Sequence, residues 1–229
     1  MNNEPLYSYY AQHRDNLLCI YNSEYDKSLY GEDFKMCMKT DNILILNKYL
    51  DFIYTDLSSK VTELNLEIKN NDNINLNLLP SKLQILRILV WEHGRNAIFK
   101  TTLDYLPLTL EHLVITVDNL KVSLDNLPIS LKRLGIHINN HKEFLDTYGL
   151  NNLPQSLTVL DMSYRYWPND KLTSDYLIEK CLNLPKNIEH FHTSKQLFKS
   201  SSYISNISVF EKFLQSKYGK LQFHLYEYR

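Results

Sequence analysis

The sequence predicts an α/β repeat solenoid. It should carry one parallel β-sheet along a concave face, irregular or short-helical returns on the convex side, and a cap at each end. Three observations predict this. A phrase of the form L-P-x-S-L-x-x-L-x-I is clearest from Leu127 to Ile136 and occurs six times in chain order. Its last two apolar residues are two apart, so on an extended chain they face the same side. The segments between phrases are polar and vary in length, as loops passing over an outer surface do.

The copies begin at Leu57, Leu79, Leu106, Leu127, Leu153 and Leu184, the first lacking the proline and the last loosely matched. Their spacing of about 21 to 31 residues lies in the range of leucine-rich repeats. The proline cannot donate to a ladder and has a fixed φ, so it belongs just ahead of a strand. A single such strand has nothing to bury its apolar row against. Stacked copies align those rows into one core, each copy touching only its neighbours. The predicted ladder is Leu86, Leu113, Leu134 and Leu160, with Ile88, Ile115, Ile136 and Met162 beside it.

Residues 1–56 do not carry the phrase and read as an N-terminal cap, because an open end of stacked strands exposes core and edge. Strand candidates there are Leu17–Tyr21, Phe34–Met38 and Ile43–Leu46, with a turn at Lys39–Asn42 between the last two. Tyr49, Leu50, Phe52 and Ile53 could instead continue Ile43 and Leu46 as one helical face. The repeats occupy 57–198. Turn chemistry follows the strands at Asp118-Asn119-Leu120 and Asn139-Asn140-His141. Helical turns are expected at Glu143–Asp146 and at Ser174–Leu182, the second with Ser174 as N-cap. The return at Tyr164–Pro168 is unusually aromatic, and is read as packing under a long loop or as an exposed patch. Residues 199–229 read as a C-terminal cap. Apolar positions from Ile204 to Tyr218 recur at helical spacing, Gly219 sits at the C-cap, and Leu221–Tyr226 alternates as a strand.

The phrase resembles the FNIP repeats, a leucine-rich-repeat variety abundant in social amoebae and giant DNA viruses. Ser130-Leu131-Lys132-Arg133-Leu134 and Ser156-Leu157-Thr158-Val159-Leu160 carry the resemblance, which covers about residues 57 to 193. The family's F-N-x-P-I/L step is absent; Trp91–Asn96 stands where it would fall. Bacterial effector repeats of the form L-P-x-x-L-x-x-L-x-V are similar but shorter and more regular. Both groups imply partner-binding solenoids. Some FNIP relatives place an F-box ahead of the repeats, but residues 1–56 show no F-box pattern, so a ubiquitin-ligase role is not carried over.

Composition excludes several classes. A formal net charge of -1 and a sequence pI near 6.7 provide no field for nucleic acid or anionic lipid. Apolar runs such as Ile43–Leu46 are far short of a membrane span, and the start has no basic-then-apolar pattern of a signal peptide. Cys19, Cys37 and Cys181 are odd in number and widely spaced, which suits a reducing, intracellular and cytoplasmic setting. The sequon at Asn206 would then stay unused. Five glycines leave little material for phosphate loops, and no nucleotide-binding, hydrolase or H-E-x-x-H motif occurs. No cofactor is expected.

The remaining signal is geometric. The third, fifth and seventh residues of L-x-x-L-x-I should point outward, onto the concave face. They form a row containing Ile85, Arg87, Leu89, His112, Val114, Arg133, His137, Val159, Asp161, His190 and His192. Glu63 and Glu67 make one end acidic. Apolar residues outside a core, rimmed by Arg and His, mark a protein-binding patch. The expected function is thus a protein-interaction scaffold or adaptor. A second reading is a metal-dependent or nucleophilic enzyme. His190 and His192 would lie roughly 7 Å apart on one strand, with Asp161 one strand over and Ser163 or Ser194 nearby. A third is a structural component of a viral or cellular assembly.

Overall fold

The computed structural model describes residues 17–19, 42–46, 62–69, 76–91, 96–163, 172–198 and 203–226. Its centre is a nine-stranded sheet in which every pairing is parallel. In chain order the strands are β1 (Leu17–Cys19), β2 (Asn42–Leu46), β3 (Glu63–Lys69), β4 (Ile85–Trp91), β6 (His112–Thr116), β8 (Arg133–His137), β9 (Val159–Asp161), β10 (His190–Ser194) and β11 (Gln222–Tyr226). Two short strands, β5 (Ile98–Phe99) and β7 (Asn119–Leu120), pair with each other in a second sheet. Helices α1 (His141–Thr147), α2 (Ser174–Lys180) and α3 (Tyr203–Tyr218) follow β8, β9 and β10. The large sheet runs in the order of the sequence, with β5 and β7 set outside it in the returns. This is an α/β arrangement.

The five copies of the phrase that carry the proline build the same local structure. In each, the N–H of the second leucine donates to the proline carbonyl: Leu83 to Pro80, Leu110 to Pro107, Leu131 to Pro128 and Leu157 to Pro154, all at 3.0 Å, and Ile188 to Pro185 at 3.1 Å. This closes a β-turn beginning at proline. The next two N–H groups then share one carbonyl of the preceding copy. Lys132 and Arg133 donate to Glu111, Thr158 and Val159 to Lys132, and Glu189 and His190 to Thr158, at 2.8–3.0 Å. The turn thus delivers the chain to a fixed point on its neighbour, and the strand starts there.

The serine of the phrase has a role that spacing alone did not reveal. Ser130 Oγ donates to the Leu110 carbonyl and Ser156 Oγ to the Leu131 carbonyl, both at 2.7 Å; Thr109 Oγ1 does the same to Leu83 at 2.8 Å. A short hydroxyl here satisfies a carbonyl one copy back, where sheet pairing has not begun. The asparagine ahead of the phrase acts likewise at the surface. Asn126 donates to Asp104 and Asn152 to Asp125, each at 2.8 Å, and Asn183 to Asn151 at 3.1 Å.

Inward residues form the ladder expected from the phrase. Leu64, Leu86, Leu113, Leu134, Leu160 and Phe191 are register neighbours across successive strands, and all are buried. Leu66, Ile88, Ile115 and Ile136 form the next row, with Met162 buried in line. The returns close over them with Phe99, Leu120, Phe144, Leu177 and Phe210.

Several local expectations change. The returns after β4 and β6 are not irregular or helical throughout, because Ile98–Phe99 and Asn119–Leu120 pair with each other. Both segments are too short to show a strand's alternation. The N-cap of α2 is Thr173, not Ser174: the Thr173 hydroxyl accepts the Tyr176 N–H at 3.3 Å. Ser174 is the first helical residue, buried, and donates to Asn206 of α3 at 3.1 Å. Helix α1 starts two residues early, at His141. At the other end α3 stops where glycine predicts it, with Gly219 at φ +61 and its N–H on the Gln215 carbonyl. Leu17–Cys19 and residues 42–46 are strands. The strand candidate Phe34–Met38, the turn residues Lys39–Asp41, the helical alternative at Tyr49–Ile53 and the aromatic return Tyr164–Pro168 lie outside the described residues.

Candidate functional site

The side of the sheet away from the core carries three rows of side chains, set by the ladder register. The first row runs Glu63, Ile85, His112, Arg133, Val159, His190 and Gln222. The second runs Asn65, Arg87, Val114, Gly135, Asp161, His192 and His224, and the third includes Leu89, Thr116 and His137. The outward residues of the phrase therefore share one face. They do not act as one site. Three groups separate along it.

The first group centres on β4 and β6. Ile85 and Val114 are half-buried and Leu89 is 37% exposed. Arg87 is held by Glu63 and by Asn65, the latter at 3.2 Å, so most of its charge is spent within the face. Arg133 is freer: its side chain is 46% exposed and its nearest acid, Asp161, is 3.7 Å away. His112 lies between them. Burial, then the Arg133 charge, holds its pKa below the usual 6.5. Gly135 lets Val114 settle here, since a Cβ at Gly135 would stand 3.1 Å from Val114 Cγ1.

The second group surrounds Asp161, which is buried although its strand position faces outward. Ser163 donates to Asp161 Oδ1 from both its hydroxyl, at 2.6 Å, and its backbone N–H, at 2.9 Å. His137 Nε2 lies 3.5 Å from the same oxygen. Burial opposes the charge, but the His137 ring and the Ser163 bonds outweigh it and hold the carboxyl well below the ordinary carboxylate range. Ser163 gives its proton to a carboxylate, not to an imidazole, so this is not the Ser–His–Asp order that nucleophilic catalysis needs. Ser194 is buried. Asp161 is the register partner of His192 on the next strand, as expected, while its close polar contacts are with His137, Arg133 and Ser163.

The third group lies on β10 and β11. His190 and His192 stand two apart on β10, and His224 is the register partner of His192 on β11. His190 Nδ1 and His224 Nε2 are 3.0 Å apart. The His192 and His224 rings stack with centroids 4.4 Å apart, and His192 Nδ1 meets the Tyr226 hydroxyl at 2.8 Å. One nitrogen from each of the three rings can be chosen so that all lie within 4.8 Å of one another. Among the described residues this is the cluster able to hold a metal. Burial lowers the His192 pKa from 6.5, while nearby Asp161 raises it in part. His224 was missed because β11 carries no copy of the phrase; the alternation Gln222-Phe223-His224-Leu225-Tyr226 was the available signal.

Sequence reasoning also passed over the turn edge. Leu108 and Ile129 are 77% and 82% exposed, the most exposed large hydrophobics described. They occupy the variable third position of L-P-x-S/T, where other copies have Ser81, Gln155 and Lys186. Tyr105 is exposed beside Leu106 of the same copy. Each lies a few residues ahead of His112 or Arg133, at the same end of the strands. No described helix is long and apolar enough to cross a membrane. Comparisons with protein-family models, with curated proteins and with solved structures find no match to this chain.

Proposed function

We propose that this chain is a leucine-rich-repeat-type solenoid of the FNIP kind, working as a scaffold or adaptor that binds a protein on the outer face of its sheet. An all-parallel sheet in chain order supports the repeat reading, as do the five proline turns built alike. Six copies of one phrase add to it. The observation that carries the binding role is apolar surface left in water beside a largely unspent cation. Ile85, Leu89 and Val114 lie on the face, Leu108 and Ile129 on its turn edge, and Arg133 and His112 between them. Such a mixture of apolar centre and Arg is the composition of an interface core. The matching partner surface offers an apolar ridge flanked by a carboxylate for Arg133.

The test compares what is captured by the wild-type chain with what three variants capture. Ile85→Asp and Arg133→Glu should each abolish recovery of the protein that wild type retains. Lys212→Glu, on the exposed side of α3, should leave it intact. Recovery unchanged by both face variants, with their melts unaltered, would remove the outer face from the function.

A further inference from the structure

We propose that His190, His192 and His224 form a binding site for one divalent transition-metal ion of the zinc type, with its fourth position open to solvent or to a ligand from outside the chain. The proposal stands apart from the partner-binding reading and uses none of its residues but those of the last two described strands.

The geometry is close to what such an ion requires. Two imidazole nitrogens on a tetrahedral zinc, with bonds of about 2.0–2.1 Å, sit roughly 3.3 Å apart. His190 Nδ1 and His224 Nε2 are already 3.0 Å apart. A simple N–H···N hydrogen bond would account for those two rings. It gives no reason for the third ring to bring a nitrogen within 4.8 Å of both. His192 does so because parallel pairing sets it beside His224, while the two-residue strand period sets it beside His190. Three rings on two adjacent strands thus form a triangle, not a line.

The surroundings also suit a ligand set. The Tyr226 hydroxyl engages His192 Nδ1 at 2.8 Å, which holds the ring and leaves Nε2 as the nitrogen available to an ion, as outer partners of metal-binding histidines do. All three rings are half-buried, so each is held by packing yet open on one side. Phe191 and Phe223, on the opposite face, stack with centroids 6.3 Å apart and fix the two strands against each other. The ligand set is imidazole alone, without thiolate or carboxylate. That favours zinc, copper or nickel over calcium and magnesium, which take oxygen ligands. Asp161, the register partner of His192 on β9, supplies nearby negative charge without entering the triangle. Three protein ligands and one open position are the pattern of ions that hold a water or an incoming group.

The experiment uses the full chain, stripped with a chelator, dialysed and titrated with zinc chloride by calorimetry, with magnesium chloride as the comparison. One zinc per chain and no magnesium should bind. His192→Asn and His224→Asn should each weaken zinc by at least about 100-fold, since both the ligand number and the chelate are lost. His112→Asn, on the same face but four strands from β11, should bind as wild type. Cobalt(II) in place of zinc should give the visible bands of a four-coordinate ion in wild type and not in His192→Asn. Metal-free melts check that each variant folds, and His224→Gln provides a second lesion on the edge strand. Absence of stoichiometric zinc, or affinity retained in both the His192 and His224 variants, would overturn the proposal.

Discussion

Leu134→Ala tests the ladder at its most constrained point. Leu134 is fully buried, with Leu113 on one side and Leu160 on the other at the same register. Losing three carbon atoms forfeits about 2.4 kcal/mol of transfer free energy, at roughly 0.8 per methylene. A cavity adds to this when the surroundings cannot close on it. Here β8 is hydrogen-bonded to β6 and β9, so its backbone cannot move inward without breaking a ladder. The total should fall at about 3–5 kcal/mol, the upper part of the range for buried leucines. With a urea m value of about 2–3 kcal/mol per molar, the midpoint should drop by roughly 1–2.5 M.

Lys132→Ala, two residues away, supplies the contrast. The Lys132 carbonyl accepts the Thr158 and Val159 N–H groups and is essential to the stacking, but alanine keeps it. What is lost is an ion pair with Glu111, 2.9 Å long, from a side chain 55% exposed. Such a pair contributes between 0 and about 1 kcal/mol, so the midpoint should move by less than about 0.5 M. Urea melts followed by circular dichroism measure both. Equal shifts for the two variants would mean that the register assigned to β8 is wrong.

Three more expectations follow from particular contacts. Ser130→Ala should cost about 1 kcal/mol in the same urea assay, because it removes the donor to the Leu110 carbonyl; no loss would deny the serine its stacking role. His141 is buried, and that burial, with His137 nearby, lowers its pKa from 6.5 to about 3. Its proton therefore favours the unfolded chain: stability is complete above pH 6.5 and falls as pH drops toward 3, by about 3 kcal/mol at pH 4.5. His112 and His192 shift the same way, so the difference between wild type and His141→Phe isolates this ring. A His141→Phe variant as acid-sensitive as wild type would refute it. At the outer face, Ile85→Ala and Arg133→Ala should each weaken partner binding by at least about 1 kcal/mol. Any His112 contribution should change below pH 6.5 and not around it, readable by calorimetry at several pH values.

The inner rows were legible because burial acts on residue type directly. Leucine and isoleucine at alternate positions can pair only one way without turning the apolar set to water, so Leu86, Leu113, Leu134 and Leu160 define the register of everything opposite them. What lies between outward side chains was not legible. Asp161 reads as exposed from its position, yet His137 and Arg133 reach it from the neighbouring strand and Ser163 folds back on it. The strands β5 and β7 gave no signal because two residues have no period. His224 escaped because its strand is placed by α3 packing and by the Gln222 N–H on the Glu189 carbonyl, not by a copy of the phrase.

The third position of L-P-x-S/T-L shows which surface residues are informative about function. Its side chain makes none of the bonds that build the turn: proline supplies the acceptor, the leucine N–H the donor, and the Ser or Thr hydroxyl the link to the previous copy. Accordingly the position takes Ser81, Gln155 or Lys186 within the same turn. Packing does not call for Leu108 or Ile129 either, since both remain about four-fifths in water. Polar side chains would serve the fold equally and would expose less apolar surface. Two such residues on consecutive copies, at the strand end that also presents His112 and Arg133, therefore extend the apolar area of the proposed interface around its edge. Leu108→Ser with Ile129→Ser should leave the urea midpoint unchanged while weakening capture of the partner. If the pair instead lowers the midpoint by as much as Leu134→Ala, these side chains belong to the fold and the interface ends at the sheet.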